Sequence, residues 1–168
     1  MADSRGRDVT NVFADEWDDI YPPVDGWRSN VKRLVPRGNE LGMSLYELPP
    51  GQGQPLYHFH HGIDELLLVV RGRPSVRTPD GERELAEGDV VHFPKGPAGA
   101  HQVINRTNEP VRYVMASSFK SPEVVEYPDS GKIAVLSHGE SQRGGPLWSM
   151  HRLDDSVDYF DDENAPTA

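Results

Sequence analysis

Proline and glycine interrupt this sequence too often for long helices. The 168 residues include 15 prolines and 16 glycines, and both residue types break helix interiors. Between them lie short strand-like runs separated by turn residues, and no run of ten or more residues has a helical pattern. Many short strands of this kind predict an all-β fold, an antiparallel sandwich or barrel of the jelly-roll type.

The predicted strands begin after residue 30. One of them, residues 65–71, is apolar on both faces, which is typical of a strand buried on both sides. We expect one face to line a barrel interior and the other to be covered by a second sheet or a partner subunit, so a homodimer is predicted. The predicted strands are 31–35, 41–48, 56–60, 65–71, 75–78, 82–85, 90–93, 101–105, 111–117, 124–125, 132–136 and 147–153.

The length and polarity of the chain favour one folded domain with polar ends. Residues 1–30 are polar and predict an N-terminal arm whose aromatics, Trp17, Tyr21 and Trp27, lean on the folded body. Residues 31–153 form the predicted barrel domain. Residues 154–168 are rich in Asp and are interpreted as a solvated acidic tail.

Charge limits the partners that we expect. Seventeen basic and 27 acidic residues give a formal charge of −10, which repels nucleic acid phosphates and anionic lipid surfaces. No segment approaches the ~20 apolar residues that cross a membrane, and no apolar stretch near the start serves as a signal peptide. The sequence has no cysteine. These observations predict a cytoplasmic protein that binds neither nucleic acid nor membranes.

A run of histidines and acidic residues predicts a metal site. His58 and His60 share one face of a strand, because alternate side chains of a strand point the same way. Gly62 allows a turn that brings Glu65 back beside them on the next strand, and His101 supplies a third imidazole further along the chain. Nitrogen and oxygen donors of this kind suit Fe, Mn, Ni, Cu, Co or Zn better than Ca or Mg.

The same residues resemble the two sequence motifs of the cupin superfamily of small β-barrels. The resemblance covers residues 40–118, and this stretch is similar to the small bacterial conserved-barrel cupins. Two departures are a loop before His101 that is two residues longer than usual, and Gln52 where the first motif has glycine. The first motif is matched by His58, His60, Glu65 and Gly72, the second by Gly88, Pro94, Gly96, His101 and Asn105.

The resemblance implies a metal centre in the barrel mouth. His58, His60, Glu65 and His101 would bind one divalent transition metal, whose identity (Fe, Mn, Ni or Zn) stays open. The metal would leave positions for a small-molecule substrate, as in a metal-dependent isomerase or dioxygenase acting on a small polar metabolite. The alternative is a cupin without catalytic activity that binds a sugar or other small molecule as a sensor or store.

Neighbouring polar residues are weaker candidates. Asp64 is the alternative carboxylate ligand, whereas His61 and His92 are interpreted as facing away from the site. Gly88 and Gly96 are predicted to permit turns, and Asn105 to bind backbone groups. Possible hydrogen-bond donors in the pocket are Tyr46, Tyr57 and Tyr113. His138 and His151 are interpreted as surface residues. The predicted barrel core includes Leu67, Val69 and Val103.

Overall fold

The computed structural model describes residues 9–21, 27–36, 39–137 and 145–163, and for residues 19–21 and 55 it describes the backbone alone. Strands dominate these residues. The strands are β1 Asp19–Tyr21, β2 Ser29–Arg33, β3 Leu41–Leu48, β4 Gly53–His60, β5 Glu65–Arg71, β6 Ser75–Thr78, β7 Gly81–Glu84, β8 Val90–Phe93, β9 His101–Ile104, β10 Val111–Ser118, β11 Glu123–Tyr127, β12 Lys132–Ser137 and β13 Leu147–Arg152.

Two antiparallel sheets face each other and form the barrel. One sheet has the order β1-β2-β3-β10-β5-β8, and the other has the order β13-β12-β11-β4-β9-β6-β7. In the described ranges the helical segments are single 3₁₀ turns at Pro97–Gly99, Pro128–Ser130 and Leu153–Asp155. The predicted all-β jelly-roll barrel is therefore confirmed.

The barrel core lies between the sheets and comes from alternate residues of each strand. Leu67 and Val69 of β5 are 0% and 2% exposed, and Val103 of β9 is 0% exposed. Tyr113 of β10 is also fully buried among them. The predicted core residues thus occupy the inner face, where burial of apolar area stabilises the barrel by roughly 25 cal/mol per Å².

The predicted turn glycines adopt conformations that other residues avoid. Gly88 and Gly96 have φ values of +87° and +85°, in the left-handed region where only glycine carries no steric penalty. The amide of Gly96 donates to the carbonyl of His60 over 2.7 Å. This bond ties the loop after β8 to the end of β4.

The first sheet extends into the segment predicted as an N-terminal arm. β1 pairs with β2, and β2 pairs with β3. Ser29 and Val31 of β2 are 0% and 4% exposed, so their burial draws the strand into the sheet before residue 31. The predicted boundary at residue 30 therefore falls inside β2, and residues 19–21 and 29–30 belong to the sheet.

Residues before β1 pack on the outer face of this sheet through Arg112. Its buried guanidinium donates from Nε to Glu47 over 2.7 Å and also pairs with the Asp15 carboxylate. The Trp17 ring lies 5.1 Å from the guanidinium carbon. The Trp27 ring lies against Gly53. Both tryptophans contact the barrel as predicted, whereas the side chain of Tyr21 lies outside the described residues.

The outer face of β5 remains partly open. Leu66 and Leu68 are 41% and 36% exposed, and Val90 of β8 is 56% exposed. Val90 is the pairing partner of Leu68, so the three side chains form one apolar surface. The inner face of β5 carries Leu67 and Val69, which are buried against the second sheet.

The described part of the acidic tail, residues 154–163, is exposed throughout. Val157, Tyr159 and Phe160 are 80%, 88% and 78% exposed, although they are apolar. None of the helical segments in the described ranges is long and apolar enough to span a membrane.

Candidate metal centre

Three strands from both sheets bring four candidate ligands to one end of the barrel. His58 and His60 lie at the end of β4, His101 is the first residue of β9, and Glu65 is the first residue of β5. His58 pairs directly with His101 across β4 and β9. The strand ends therefore assemble residues that are distant in sequence.

The ring nitrogens converge on one carboxylate oxygen. The Nε2 atoms of His60 and His101 each lie 3.3 Å from Oε2 of Glu65. The Nε2 atom of His58 lies 3.9 Å from the same oxygen and 3.1 Å from Nε2 of His60. Ligand atoms of His58, His60 and Glu65 all lie within 4.8 Å of one another.

In His58 and His101, the opposite ring nitrogen fixes the orientation of the ring. Nδ1 of His58 lies 2.8 Å from the carbonyl of Leu56, and Nδ1 of His101 lies 2.9 Å from the carbonyl of Gly99. A carbonyl only accepts hydrogen bonds, so each Nδ1 carries the proton of the neutral ring. Nε2 of both rings is then an acceptor with its lone pair aimed into the cluster.

The atoms that face one another in this cluster are hydrogen-bond acceptors, so a cation is needed between them. Glu65 Oε2 and His101 Nε2 are buried and have no hydrogen-bond partner of suitable geometry. Leaving such atoms unpaired is costly, since buried polar groups need a partner. Imidazole nitrogens with one carboxylate suit a divalent transition metal. The residues present therefore fit the kind of metal that the sequence predicts.

Burial and neighbouring charges adjust the pKa values of this cluster. Burial, followed by the proximity of His101, lowers the pKa of His58 to about 4. Burial opposes ionisation of Glu65, but the neighbouring imidazoles of His101 and His60 outweigh it and hold the pKa of this carboxyl well below its usual range. His58 is thus neutral and Glu65 is ionised at pH 7, as metal ligands must be.

The longer loop before His101 folds without displacing this residue. Residues Pro97–Gly99 form a single 3₁₀ turn, and His101 begins β9 directly after it. The ring of Phe93 stacks on His101 with centroids 3.8 Å apart and an interplanar angle of 6°. The loop and the stacked ring hold His101 in the barrel, where its side chain is 1% exposed.

Comparison with known families agrees with this architecture. Residues 44–117 match the Cupin_2 family model, described as a cupin domain. This part of the chain is a cupin domain. The match includes all four candidate ligands and ends within β10, so the predicted resemblance is confirmed.

Solved structures similar to this cupin include two bacterial proteins. One, from Acidithiobacillus ferrooxidans, carries the provisional name sugar phosphate isomerase; it is 26% identical, has a TM-score of 0.67 and aligns over 79% of this chain and 81% of its own. The other, a sugar phosphate isomerase from a cupin superfamily from Silicibacter pomeroyi, is 27% identical, has a TM-score of 0.66 and aligns over 79% and 82%.

A curated relative extends the likeness to archaea. An uncharacterized protein from Methanocaldococcus jannaschii is 27% identical over an alignment of 123 residues, which covers 68% of this chain and 96% of the relative. Its name gives no activity. This comparison therefore supports the assignment of the domain but gives no information on its chemistry.

The other acidic and histidine candidates lie outside the cluster. His61 Nε2 lies 2.7 Å from Glu126 Oε1 on the outer side of the cupin barrel. Asp64 accepts the Lys95 amide over 3.1 Å and lies 3.6 Å from Nε2 of exposed His92. The structure thus separates all three from the four candidate ligands.

The structure describes one of the two remaining histidines. His151 lies beside Ser149 on the exposed strand β13, and His138 lies outside the described residues.

The predicted supporting residues divide between structural and mouth positions. Asn105 donates to the carbonyls of Leu48 and Glu109 over 2.9 and 2.8 Å, so it binds backbone groups as predicted. Tyr113 donates to the carbonyl of Gln54 over 3.0 Å. Tyr57 lies under the Arg77 guanidinium, 4.0 Å from its carbon. Only the third candidate, Tyr46, lines the mouth cavity.

Sequence reasoning missed two residues of β11 that contact the centre. Oε1 of Glu123 lies 3.4 Å from Nδ1 of His60, and the ring of Tyr127 stacks against His58 with centroids 6.0 Å apart. No spacing rule links them to the histidines, because the link depends on β11 pairing with β4 through Val125 and His60. In the sequence, β11 is visible only as a short strand-like run, and nothing marks these two residues as neighbours of the histidines.

A cavity of about 620 Å³ opens at the same end of the barrel as the cluster. Ser117 lines it and pairs with Glu65 on one side and with Gly42 on the other. The cavity separates strands β2 and β3 from the β12–β13 hairpin, and its described polar lining includes Arg33, Asn39, Ser44 and Ser137. Its lining therefore reaches the strand position beside a candidate ligand.

Proposed function

We propose that this cupin binds one divalent transition metal through Nε2 of His58, His60 and His101 and the carboxylate of Glu65. The observation that carries the proposal is the convergence of imidazole lone pairs on a buried carboxylate oxygen that has no donor. Fe, Mn, Ni and Zn all suit such donors, so the metal is proposed by class.

The bound metal would supply Lewis-acid chemistry to a small polar metabolite. Three neutral imidazoles and one carboxylate would leave a divalent ion a net positive charge and open positions for substrate oxygens. We propose an isomerase acting on a sugar phosphate or a similar polyol, since the two similar structures carry the name sugar phosphate isomerase. A dioxygenase is the alternative within the same metal centre.

The cavity in the mouth supports binding of a small molecule beside the metal. Its hydroxyl and amide groups suit the oxygens of such a ligand, and Arg33 adds a positive charge. Pairing of Ser117 with Glu65 puts the cavity wall next to a metal ligand. The apolar residues Leu67 and Val103 close the barrel below the centre and exclude water from it.

The proposal is tested with protein purified without a polyhistidine tag. Elemental analysis is expected to find close to one transition metal per chain in wild type, and little in His101→Ala. A panel of phosphorylated aldoses and ketoses then tests turnover. Metal without turnover on this panel or on catechols and keto acids would favour the non-catalytic binding role. No metal in wild type, even after incubation with Fe, Mn, Ni or Zn, contradicts the proposal.

We also propose a homodimer that buries the open face of β5. Leu66, Leu68 and Val90 form an exposed apolar surface, which a second copy would cover. Light scattering is expected to show a dimer at micromolar concentration, and Leu68→Lys is expected to shift it to monomer. A monomeric wild type at these concentrations would contradict this.

Charge and composition support a proposal for the location and partners of the protein. With a formal charge of −10, we propose a cytoplasmic protein with a small-molecule partner and no nucleic acid or membrane partner. Fractionation and a nucleic acid filter-binding assay test these points.

A further inference from the structure

Glu123 is a buried carboxylate on the far side of His60 from the metal cluster. It belongs to β11, and its side chain is 9% exposed. Glu123 and Val125 share the inner face of this strand, and Val125 pairs with His60 on β4. The carboxylate therefore enters the barrel behind the imidazole and not beside Glu65.

Its contacts identify what the carboxylate can do. Oε1 accepts the amide hydrogen of Gly62 over 3.2 Å and lies 3.4 Å from Nδ1 of His60. Oε2 is buried without a hydrogen-bond partner, as is Nδ1 of His60. A slight rotation of the ring would align the Nδ1 proton with this carboxylate. Nε2 of the same ring faces Glu65, so Glu123 does not reach the metal position.

The other two candidate histidines have backbone carbonyls at the equivalent position. His58 and His101 direct Nδ1 at Leu56 and Gly99, whereas the side chain of His60 has a charged acceptor. A carboxylate behind a metal-binding imidazole fixes the tautomer and makes the ring a stronger ligand. Nε2 of His60 lies 3.1 Å from Nε2 of His58, so the orientation of His60 also bears on the neighbouring candidate ligand.

We propose that Glu123 is a positioning residue that accepts the Nδ1 proton of His60 and holds its Nε2 lone pair toward the metal. This inference rests on the metal centre proposed above and goes beyond its ligand set. Glu123 strengthens binding without contacting the metal. Removing its charge weakens the centre while leaving all four ligands in place.

Gly62 provides an independent way to move this carboxylate. A Cβ atom built on Gly62 collides with Oε2 of Glu123. The carboxylate is the end of a flexible side chain, so it would move aside. Gly62→Ala is therefore expected to act in the same direction as a change at Glu123, although it removes no polar group.

Zinc affinity, measured by chelator competition, tests the proposal. Glu123→Gln keeps the volume and an acceptor for Gly62 but removes the charge, so it should bind zinc about 10- to 100-fold more weakly than wild type. Gly62→Ala should also weaken binding. The matched control is Glu126→Gln, which changes the carboxylate–imidazole pair of His61 on the outer face of the same two strands and should stay within about twofold.

A nuclear magnetic resonance readout separates positioning from a general structural effect. In zinc-loaded wild type with ¹⁵N-labelled histidine, the Nδ1 proton of His60 should be visible and protected from exchange, and Glu123→Gln should lose that protection. If Glu123→Gln binds zinc as tightly as wild type and keeps the Nδ1 proton of His60 protected from exchange, the proposed role of Glu123 is wrong. The proposed metal centre would be unaffected by that result. If Glu123→Gln does not fold, an Nδ1-bound zinc at His60 in wild type overturns it. A wild type that binds no zinc or other transition metal overturns both proposals.

Discussion

His58 and His101 lie directly opposite each other on neighbouring strands, with ring centroids 4.7 Å apart. Both rings direct Nδ1 at a carbonyl two residues earlier in the chain. The strands thus position two imidazoles by the same local contact, and the proposed metal position lies on the side of the rings that these contacts leave open.

Removing the charge of Glu65 should weaken metal binding more than any change in its flanking residues. Glu65→Gln keeps the shape of the side chain but removes the anion that the imidazoles face. We expect at least a tenfold loss of zinc affinity by chelator competition. Asp64→Asn, next to it but outside the cluster, is the control and should bind like wild type. Equal affinities of the two variants would contradict the assignment of the carboxylate.

Truncation within β5 should distinguish its inner and outer faces. Leu67 is 0% exposed, whereas its neighbour Leu66 is 41% exposed. Leu67→Ala should lower the free energy of unfolding by about 2–5 kcal/mol, because it leaves a cavity in the core. Leu66→Ala should lower it by less than about 1 kcal/mol in the monomer. Urea titration at a concentration where the protein is monomeric makes the comparison, and similar losses for both variants would contradict the register.

Arg112 should connect the N-terminal residues to the sheet. Its side chain is 3% exposed and pairs with Glu47, which is 16% exposed, and with exposed Asp15. Arg112→Met removes the partner of a largely buried carboxylate, so we expect a loss of about 3 kcal/mol in thermal or urea unfolding. Arg106→Met, which breaks the exposed pair with Glu82, should cost less than about 1 kcal/mol. The reverse ranking would contradict this role.

The pair between Arg77 and Asp129 should make a small, pH-dependent contribution. The Arg77 nitrogens lie 2.6 and 2.9 Å from the Asp129 oxygens, and these hydrogen bonds lower the pKa of Asp129 below its usual value. A lowered pKa in the folded state means that the stabilisation is present above the unfolded pKa, about 3.9, and is lost as the pH falls through the folded value.

Asp129→Asn tests this contribution by urea titration. The variant should be less stable than wild type at pH 7 by less than about 1 kcal/mol, because the pair is solvent-exposed. The difference should shrink once the pH falls below about 4. Asp80→Asn, in an exposed turn, is the control. A difference that persists unchanged at low pH would show that the ion pair is not its cause.

The local features of this fold are visible in the sequence, because turn residues bound most strands. The predicted segment 65–71 coincides with β5, and 41–48 coincides with β3. The spacing of His58, His60 and Glu65 likewise predicts that these side chains converge, and their ligand atoms lie within 4.8 Å of one another. The strand positions and the convergence of the three side chains are both local features, because they depend only on alternation along a strand and on one turn.

Features that depend on pairing between distant strands are not visible in this way. Glu123 has no spacing relation to His60, and only the pairing of β11 with β4 brings them together. Strand β1 is short and includes Asp19, so its place in the sheet comes from pairing with β2 and not from its own residues. The two residues added before His101 could not be placed, because their 3₁₀ turn depends on how Gly99 packs against Pro94.

The metal centre is tested most directly by X-ray absorption spectroscopy of zinc-loaded protein purified without a tag. We expect a single class of zinc with three imidazole ligands and at least one oxygen ligand, and a loss of one imidazole in His101→Ala. Zinc–nitrogen and zinc–oxygen distances near 2.0–2.2 Å are expected. A spectrum that shows oxygen ligands alone, or a wild-type spectrum that His101→Ala leaves unchanged, would contradict the proposed centre.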